Sequence, residues 1–301
     1  MTMAGPGIDA ESFPGPADVE AVRALVAAAT DADGVAPVSE AVLLDLGHRR
    51  DRRTRHLLAR RDDIVVGYAQ LDPDGGPSAE LVVHPDHRRR GTGTALVDVL
   101  EGADPHHGLR VWAHGRRPGA VALAAARGYV EDRVLWQLRR PLDGIPDVPL
   151  PDGITLRPFV PGRDETAWVE VNNRAFDGHP DQGGFTVDDL LVREAEPWFD
   201  PAGLLLATHP DGTLAGFHWT KVHLEEDPPT GEVYVLGVDP SARGLRLGPA
   251  LTVAGLHHLA ARGLSRVLLY VDESNPRAVR LYKDLGFAEY DVDVQYRRPG
   301  R

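Results

Sequence analysis

The first half of the chain alternates between the hydrophobic periods of helices and strands. Apolar residues recur at helical spacing over 18–29, which predicts an amphipathic helix. Two apolar runs follow within 57–71, and the polar pair Asp62 and Asp63 separates them. This second pattern is typical of two strands joined by a turn.

The second half repeats this order and continues it. The pattern predicts a strand over 203–208, a turn at 210–212, and strands over 214–220 and 232–238. A helix over 249–262, a strand over 267–271 and a helix over 276–285 follow. Pro276 suits the first turn of the last helix, and Gly286 suits the position just after its end. Strands that alternate with helices predict an α/β fold in each half.

A repeated motif relates the two halves. In each half a hydrophobic strand ends shortly before a proline, and a basic loop with glycines follows. Pro240 lies 155 residues after Pro85, and the arginine and the last glycine of each loop keep this offset. A second match, between 126–129 and 284–287, follows in the same order. Two blocks at nearly one offset indicate a tandem duplication.

The length of 301 residues suggests two domains. The segment 141–152 is rich in proline and has no hydrophobic period, so it is interpreted as a linker. We therefore predict an N-terminal domain over 1–140 and a C-terminal domain over 153–301.

The composition removes several classes of protein. Without cysteine, a disulfide scaffold, a zinc–thiolate site, an iron–sulfur protein and a cysteine nucleophile are excluded. The net charge of −12 opposes tight binding to nucleic acid. No secretory signal or membrane-spanning run is visible, so a cytoplasmic protein without a membrane partner is expected. Histidines and carboxylates lack the spacing of a metal site, so no metal is expected. The protein is also expected to be a monomer.

The basic loop of each half lies between a strand and a helix. Backbone N–H groups of such a loop, together with the helix N-terminus, can point at one anion, and arginines add charge-assisted contacts. The spacing matches neither the P-loop nor the three-glycine dinucleotide motif. A tight turn with solvated arginines is the alternative, and duplication of the whole context favours the phosphate site.

The loop at 88–93 resembles the pyrophosphate-binding signature of the GCN5-related N-acetyltransferases, the GNAT family. The segment from Asn275 through Tyr282 to Phe287 resembles that family's later Asn…Tyr…Gly-Phe segment. The resemblance implies two tandem GNAT domains, each with a mixed central sheet flanked by helices. It also implies acetyl-CoA as the donor and direct transfer to an amine.

The two halves differ at the residues of the later segment. Aligned on the Gly-aromatic pair of each half, Arg117 and Ala124 stand where Asn275 and Tyr282 stand in the second half. We therefore expect the first half to be non-catalytic and the second half to carry the chemistry.

Two residues of the second half are candidates for proton transfer. Glu232, at the start of the strand before the loop, could accept the proton of an ammonium group directly or through water. Tyr282 lies where the family places the acid that protonates the leaving thiolate. Backbone N–H groups near 236–238 could stabilise the carbonyl oxygen. A solvated strand-end glutamate and a merely packed tyrosine are the alternatives.

Further stretches, over 179–183, 194–203, 216–223, 231–240 and 268–272, resemble the mycothiol synthases, which are tandem GNAT enzymes. The likeness covers nearly the whole chain. It implies N-acetylation of the cysteinyl amine of 1D-myo-inositol 2-(L-cysteinylamino)-2-deoxy-α-D-glucopyranoside, the last step of mycothiol biosynthesis.

Site residues follow from this resemblance, position by position. Substrate contacts are implied at Glu40, Asp181, Lys221, Glu232 and Tyr270. An acetyl-CoA site in the second half is implied at Leu236, Gly237, Val238, Arg243, Gly244, Leu245, Arg246, Leu247, Gly248, Pro249, Asn275, Pro276, Arg277, Ala278, Val279 and Arg280. A second, non-catalytic acetyl-CoA site is implied at Leu81, Val82, Val83, Arg88, Arg89, Arg90, Gly91, Thr92 and Gly93.

Glu40 and Arg246 are two notable positions in this assignment. Because Glu40 belongs to the first half, the resemblance implies a substrate pocket between the domains. Arg246 stands where the family usually has glycine, which matters if that position needs a positive φ or a close approach to pyrophosphate. Two other functions stay open: acetylation of another small-molecule or peptide amine, and a catalytically silent acyl-CoA-binding module.

Overall fold

The structure, a computed structural model, describes residues 7–11, 14–47, 53–73, 76–104, 108–179, 182–224 and 226–299. The chain divides into two compact units. Unit 1 contains Met1–Leu135 and Asp291–Arg301, and unit 2 contains Trp136–Tyr290.

Unit 1 is built on a mixed sheet. Its strands are β1 (Gly7–Glu11), β2 (Arg55–Arg61), β3 (Ile64–Asp72), β4 (Ser78–Val83), β5 (Arg110–Ala113), the start of β6 (Val130–Pro141) and the end of β12 (Ala288–Arg297). The strands lie in the order β1-β2-β3-β4-β5-β12-β6. Strands β1 to β4 are antiparallel, β4 and β5 are parallel, and β12 runs antiparallel to β5.

Helices cover both faces of the unit 1 sheet. They are α1 (Pro16–Asp33), α2 (Glu40–Gly47), α3 (Thr92–Ala103) and α4 (Pro118–Ala126), with a short 3₁₀ helix at Pro85–His87. Successive strand residues point to opposite faces. Leu57 and Ala59 accordingly share a core with Leu96 of α3, whereas Leu58 shares a core with Leu25 of α1.

Local sequence explains the ends of these elements. Helix α1 carries proline in its first turn and ends at Gly34, whose φ of 71° only glycine adopts without strain. Asp62 and Asp63 have φ values of 49° and 64° and form the two-residue turn between β2 and β3. Both residues in the left-handed region are typical of the turn that matches the twist of a hairpin.

Unit 2 has the same architecture. Its strands are the end of β6, β7 (Thr155–Pro158), β8 (Leu204–Thr208), β9 (Leu214–His223), β10 (Thr230–Val238), β11 (Arg266–Asp272) and the start of β12. Its helices are α5 (Glu165–Ala175), α6 (Val187–Glu194), α7 (Leu247–Ala261) and α8 (Pro276–Asp284), with 3₁₀ helices at Pro201–Gly203 and Pro240–Ala242. The sheet order is β6-β11-β10-β9-β8-β7. The structure confirms each strand and helix that the sequence pattern predicts, within a few residues.

The end of the C-terminal strand, from Asp291 onward, belongs to unit 1 rather than to the half that encodes it. Val294 and Tyr296 pair with Ala113 and Val111 of β5, and both side chains are buried in the unit 1 core. The structure thus differs from a boundary that keeps 153–301 together. A motif repeat shows where a copy begins, but not which sheet its last strand joins.

No helix within the described ranges is long and apolar enough to cross a membrane.

Candidate active site

Strands β10 and β11 of unit 2 diverge part-way along their length. Their parallel pairing includes Gly231 with Val267 and Glu232 with Leu268, whereas β10 continues to Val238. Beyond Glu232 the edge of β10 therefore offers backbone N–H and C=O groups to an extended ligand. Strand β10 also has an irregular register between Val233 and Val235 on its β9 side, which is typical of a β-bulge.

The predicted anion loop follows β10 and leads into helix α7. Gly244 and Arg246 both have left-handed backbone, with φ values of 92° and 58°. Arg246 is the N-cap of α7, and its side chain makes no capping hydrogen bond to the first turn of this helix. Uncapped N–H groups and the positive end of the helix dipole suit the binding of a pyrophosphate. The exposed side chains of Arg243 and Arg246 flank these groups.

Glu232 occupies the last paired position before the strands diverge. The residue is 7% exposed, and its Oε2 lies 2.7 Å from Nε2 of His223. Directly across the β9–β10 ladder stands Lys221. Since cross-strand partners share a face of the sheet, a carboxylate and an ammonium lie side by side where the gap begins.

Tyr282 lies on helix α8 and is 8% exposed. Burial raises the pKa of Tyr282 to about 12, so the phenol stays protonated at neutral pH. Its ring packs edge-on against Phe287 at 5.7 Å. Asn275 caps the same helix, because its Oδ1 accepts the Ala278 N–H at 3.1 Å. The Asn…Tyr segment thus includes the start of α8 as well as a candidate acid.

The predicted substrate residues have distinct surroundings. The ammonium group of Lys221 lies 4.6 Å from the ring centre of Trp198 and 5.4 Å from that of Tyr234. The hydroxyl of Tyr270 accepts a hydrogen bond from Gln137 Nε2 at 2.7 Å. Glu40 begins helix α2 in unit 1, and Asp181 lies outside the described residues.

Gly237 of the predicted acetyl-CoA site has a packing role. A Cβ at this position would lie 2.6 Å from the ring of Phe217 on β9. Glycine therefore allows the two strands to pack around a buried aromatic side chain, whether or not a ligand is bound.

Unit 1 contains a cavity of about 480 Å³ where its own strands diverge. The pairing of β4 with β5 reaches Glu80 and Trp112, and the cavity opens beyond them. Among its lining residues are seven of the nine predicted for the second acetyl-CoA site: Leu81, Val82, Val83, Arg88, Arg89, Gly91 and Gly93. The side chain of Thr92 is buried beneath α3, and Arg90 does not line the cavity.

Arg88 is engaged within the protein. Its guanidinium donates to both carboxylate oxygens of Asp33 at 2.7 Å, and its Nε donates to the Val83 carbonyl at 3.1 Å. This bidentate pair ties the loop to the end of α1. These bonds use three of the five N–H donors of the guanidinium and leave two for a phosphate.

A buried cluster of charged side chains lies where strands β4 and β5 of unit 1 diverge. Glu80, at the last paired position of β4, lies 3.0 Å from Nε2 of His114, and Asp293 lies 3.0 Å from Nδ1. Ser39 also donates to Glu80 from its backbone and its hydroxyl. Burial by itself lowers the pKa of His114, but the two carboxylates outweigh burial and raise it well above its usual range. His114 is therefore a cation bonded on both ring nitrogens.

Sequence reasoning missed several of these residues: Trp198, Tyr234, His223, Glu80, His114 and Asp293. One signal was available for His223, which lies two positions after Lys221. The strand predicted over 214–220 continues through both residues in the structure, so they share a face. The cluster around His114 combines three distant segments and has no local signature.

Family models match both halves of the chain. The model described as "Acetyltransferase (GNAT) family" matches residues 167–287, and the model described as "Acetyltransferase (GNAT) domain" matches residues 52–131. A mycothiol acetyltransferase of Thermomonospora curvata is 58% identical over 93% of this chain and 94% of its own length. The chain belongs to the mycothiol acetyltransferase family. A second member, from Thermobispora bispora, is 53% identical over 94% of this chain and 97% of its own length.

Solved structures agree with the GNAT fold. A GCN5-related N-acetyltransferase from Sphaerobacter thermophilus aligns with a TM-score of 0.67 and 30% identity over 98% of this chain and 97% of its own. A tandem GNAT protein from the clavulanic acid biosynthesis pathway aligns with a TM-score of 0.72 over 96% of this chain and 98% of its own. Because the sequences are 23% identical, this match shows the fold alone. The chain is a tandem GNAT protein and an acetyl-CoA-dependent N-acetyltransferase.

Proposed function

We propose that the chain acetylates the cysteinyl amine of 1D-myo-inositol 2-(L-cysteinylamino)-2-deoxy-α-D-glucopyranoside with acetyl-CoA and so produces mycothiol. The name that its relatives share supports this product. One observation carries the proposal from the structure: the buried carboxylate of Glu232 lies across the ladder from Lys221, where β10 leaves β11.

Acetyl-CoA binds in unit 2, along the free edge of β10 and over the start of α7. The edge residues are Leu236, Gly237 and Val238, and the pyrophosphate contacts come from the loop and helix start at 243–249. The first turn of α8, at 275–280, borders the same site. The uncapped N-terminus of α7 and the exposed loop arginines support this placement.

The amine substrate binds beside this gap. Its many hydroxyls and its ammonium group suit a pocket with acidic and basic side chains, because carboxylates accept from both groups and Lys221 donates to oxygen. Glu40, Asp181 and Tyr270 complete the set of proposed contacts. The aromatic surroundings of Lys221 support a defined position for its ammonium group.

Glu232 prepares the nucleophile. An amine attacks only when neutral, and an α-amino group with a pKa of about 7.7–8.0 requires only a modest base. The Glu232 carboxylate takes a proton from the ammonium form, directly or through one water. The nitrogen lone pair then forms the amide bond to the acetyl carbonyl carbon as the carbon–sulfur bond breaks. Backbone N–H groups at 236–238 stabilise the carbonyl oxygen while charge develops on it.

Tyr282 protonates the leaving group. The electron pair of the broken bond stays on the CoA sulfur, and the phenol of Tyr282 donates its proton to this thiolate. The raised pKa of Tyr282 keeps the proton on the phenol until the thiolate forms. Apolar surroundings raise the basicity of a thiolate as well, which narrows the gap between donor and acceptor.

Unit 1 binds acetyl-CoA without turning it over. Its cavity supports the binding. The lack of turnover is supported by Glu80, the carboxylate at the last paired position of β4, which is engaged by the His114 cation and by Ser39. A carboxylate held in this way cannot readily accept a substrate proton.

The test is turnover of acetyl-CoA with the purified cysteinyl substrate, followed by mass spectrometry of the product. We expect one acetyl group on the cysteinyl nitrogen and one released CoA per turnover. The matched control is glucosaminyl-inositol, which has an amine but no cysteinyl group and should remain unmodified. Failure with the cysteinyl substrate, together with turnover of a different amine, would overturn the proposal.

A further inference from the structure

We propose that His223 is a positioning residue that orients Glu232 and relays its proton to solvent in each turnover. This inference rests on the proposed role of Glu232 as the base.

The register of β9 and β10 brings the two side chains together. His223 pairs with Thr230, and Lys221 pairs with Glu232, so these positions alternate along one antiparallel ladder. Side chains two residues apart on a strand share a face. The imidazole of His223 therefore lies diagonally next to Glu232, with its Nε2 at 2.7 Å from Oε2. An ionised carboxylate only accepts, so Nε2–H donates while Glu232 is ready to act as the base.

The exposed fractions of the two side chains indicate the direction in which the proton leaves. The side chain of Glu232 is 9% exposed and that of His223 is 19% exposed. A proton taken by Glu232 must leave before the next turnover, and the imidazole is the more exposed member of the pair. A free imidazole is also the stronger base, with a pKa of about 6.5 against about 4.3 for a free glutamate.

The relay balances in four proton movements. The substrate ammonium gives a proton to the Glu232 carboxylate and becomes a neutral amine. Through water, the neutral His223 ring moves its own proton from Nε2 to Nδ1, which leaves Nε2 free to accept. The Glu232 carboxyl passes its proton to Nε2 and regains its negative charge. The His223 imidazolium then releases the Nδ1 proton to water and returns to the neutral Nε2–H form.

Unit 1 provides an internal comparison. Glu80, at the last paired position of β4, also bonds a histidine, but Asp293 bonds the other ring nitrogen of His114. Two carboxylates keep that ring protonated. A histidine that cannot release its proton cannot relay one, which agrees with a catalytic role confined to unit 2.

The experiment compares wild type, His223→Ala and His223→Gln in steady-state turnover of acetyl-CoA and the cysteinyl amine. We expect His223→Ala to lower kcat about 10–100-fold, within the range of proton-transfer contributions, with the KM for acetyl-CoA unchanged. Added imidazole should restore kcat in a concentration-dependent manner. His223→Gln keeps an N–H donor for Glu232 but cannot relay, so its kcat should lie between those of wild type and His223→Ala, and it tests the same idea if the alanine variant folds poorly.

The controls separate this inference from the proposed function. His258, which lies 3.6 Å from Asp200 on another face of the unit, gives the matched variant His258→Ala, whose kcat should not respond to imidazole. Glu232→Gln should be slow and unresponsive to imidazole, because the relay begins at Glu232. An unchanged kcat in His223→Ala, or a lowered kcat that imidazole does not restore, would overturn the relay. Absence of turnover in wild type would instead overturn the proposed function.

Discussion

Arg246 and Gly91 hold the same place in two loops and share one backbone conformation. Each is the N-cap of the helix that follows its loop, with a φ of 58° for Arg246 and 84° for Gly91. Two residues earlier the identities are exchanged, since Arg89 has a φ of 60° and Gly244 a φ of 92°. Each loop thus keeps two left-handed positions and fills one with glycine and the other with arginine.

This exchange predicts that Arg246→Gly stabilises the protein. A left-handed backbone costs a non-glycine residue roughly 1–2 kcal/mol, and glycine recovers most of this cost while losing some entropy. We expect the free energy of unfolding to rise by about 1 kcal/mol. Denaturant titration of the wild type and the variant measures the difference.

Gly91→Ala tests the same argument in the opposite direction. Among the described residues, no heavy atom beyond Gly91 and its two chain neighbours lies within 4 Å of a Cβ at this position, so the substitution adds backbone strain alone. We expect a loss of about 1 kcal/mol. Gly102, inside α3 and equally uncrowded, is the matched control, where alanine should stabilise by about 0.5–1 kcal/mol. Equal effects at both glycines would contradict the strain argument.

Much of the fold could be predicted from hydrophobic periods and the repeated loop. Asp62 and Asp63 marked the hairpin, and Pro276 and Gly286 marked the ends of the last helix, because turn and cap preferences are local. The destination of the last strand could not be predicted. Val294 and Tyr296 have the same strand pattern in either sheet, and only packing against β5 decides between them.

The candidate site likewise contains residues that could be predicted from the sequence and residues that could not. Glu232 and Tyr282 could be found by their distance from recognisable motifs. His223, Trp198 and His114 could not, because their roles arise from pairing across strands or from contacts among distant segments. A lone histidine or tryptophan has no sequence mark that separates packing from function.

Glu232→Gln should lower the rate of amine acetylation most at low pH. The amide cannot take a proton, so the variant depends on the fraction of amine that is already neutral, and this fraction grows with pH. The ratio of wild-type to variant kcat/KM should therefore shrink from pH 6.5 to pH 9, as measured by initial rates. Glu226→Gln on the same hairpin, whose carboxylate binds Thr230 and Arg266, should keep the wild-type profile. A ratio independent of pH would count against the base.

Tyr282→Phe should lower kcat by about 100-fold, in the range of general acid catalysis. The ring and its packing against Phe287 remain, so the KM for acetyl-CoA should stay within about twofold of wild type. Steady-state kinetics with both substrates measures the two parameters. Tyr290→Phe removes the hydroxyl of an exposed tyrosine and should leave both unchanged. Normal turnover in Tyr282→Phe would remove the proposed acid.

Trp198→Ala should raise the KM for the amine substrate without changing the KM for acetyl-CoA. Trp198 and Tyr234 hold the Lys221 ammonium by cation–π contacts, each of roughly 0.5–2 kcal/mol. Loss of one contact corresponds to a rise in KM of about 3–30-fold if Lys221 then samples other positions. Trp198→Phe keeps an aromatic face and should lose less. A parallel rise in both KM values would point to general unfolding of the site instead.

His114 should make the stability of the protein depend on pH in the alkaline range. Its pKa is raised from 6.5 to about 10, because the Glu80 and Asp293 carboxylates outweigh burial. The folded state therefore binds one more proton than the unfolded state between these values, so the stabilising effect is complete below pH 6.5 and is lost as pH rises through about 10. The slope reaches at most about 1.4 kcal/mol per pH unit.

Urea titrations of wild type and His114→Gln at pH 6.5, 8 and 9.5 measure this linkage. Glutamine can bond one carboxylate but carries no charge, so the variant leaves two buried carboxylates without a cation and should be less stable at pH 6.5 by about 3 kcal/mol. Its own stability should lack the His114 slope, and the difference from wild type should shrink at each higher pH. The same titrations report on the C-terminal strand, since Asp293 binds both His114 and the Gly115 N–H. A difference that stays constant from pH 6.5 to 9.5 would show that His114 is neutral in the folded protein.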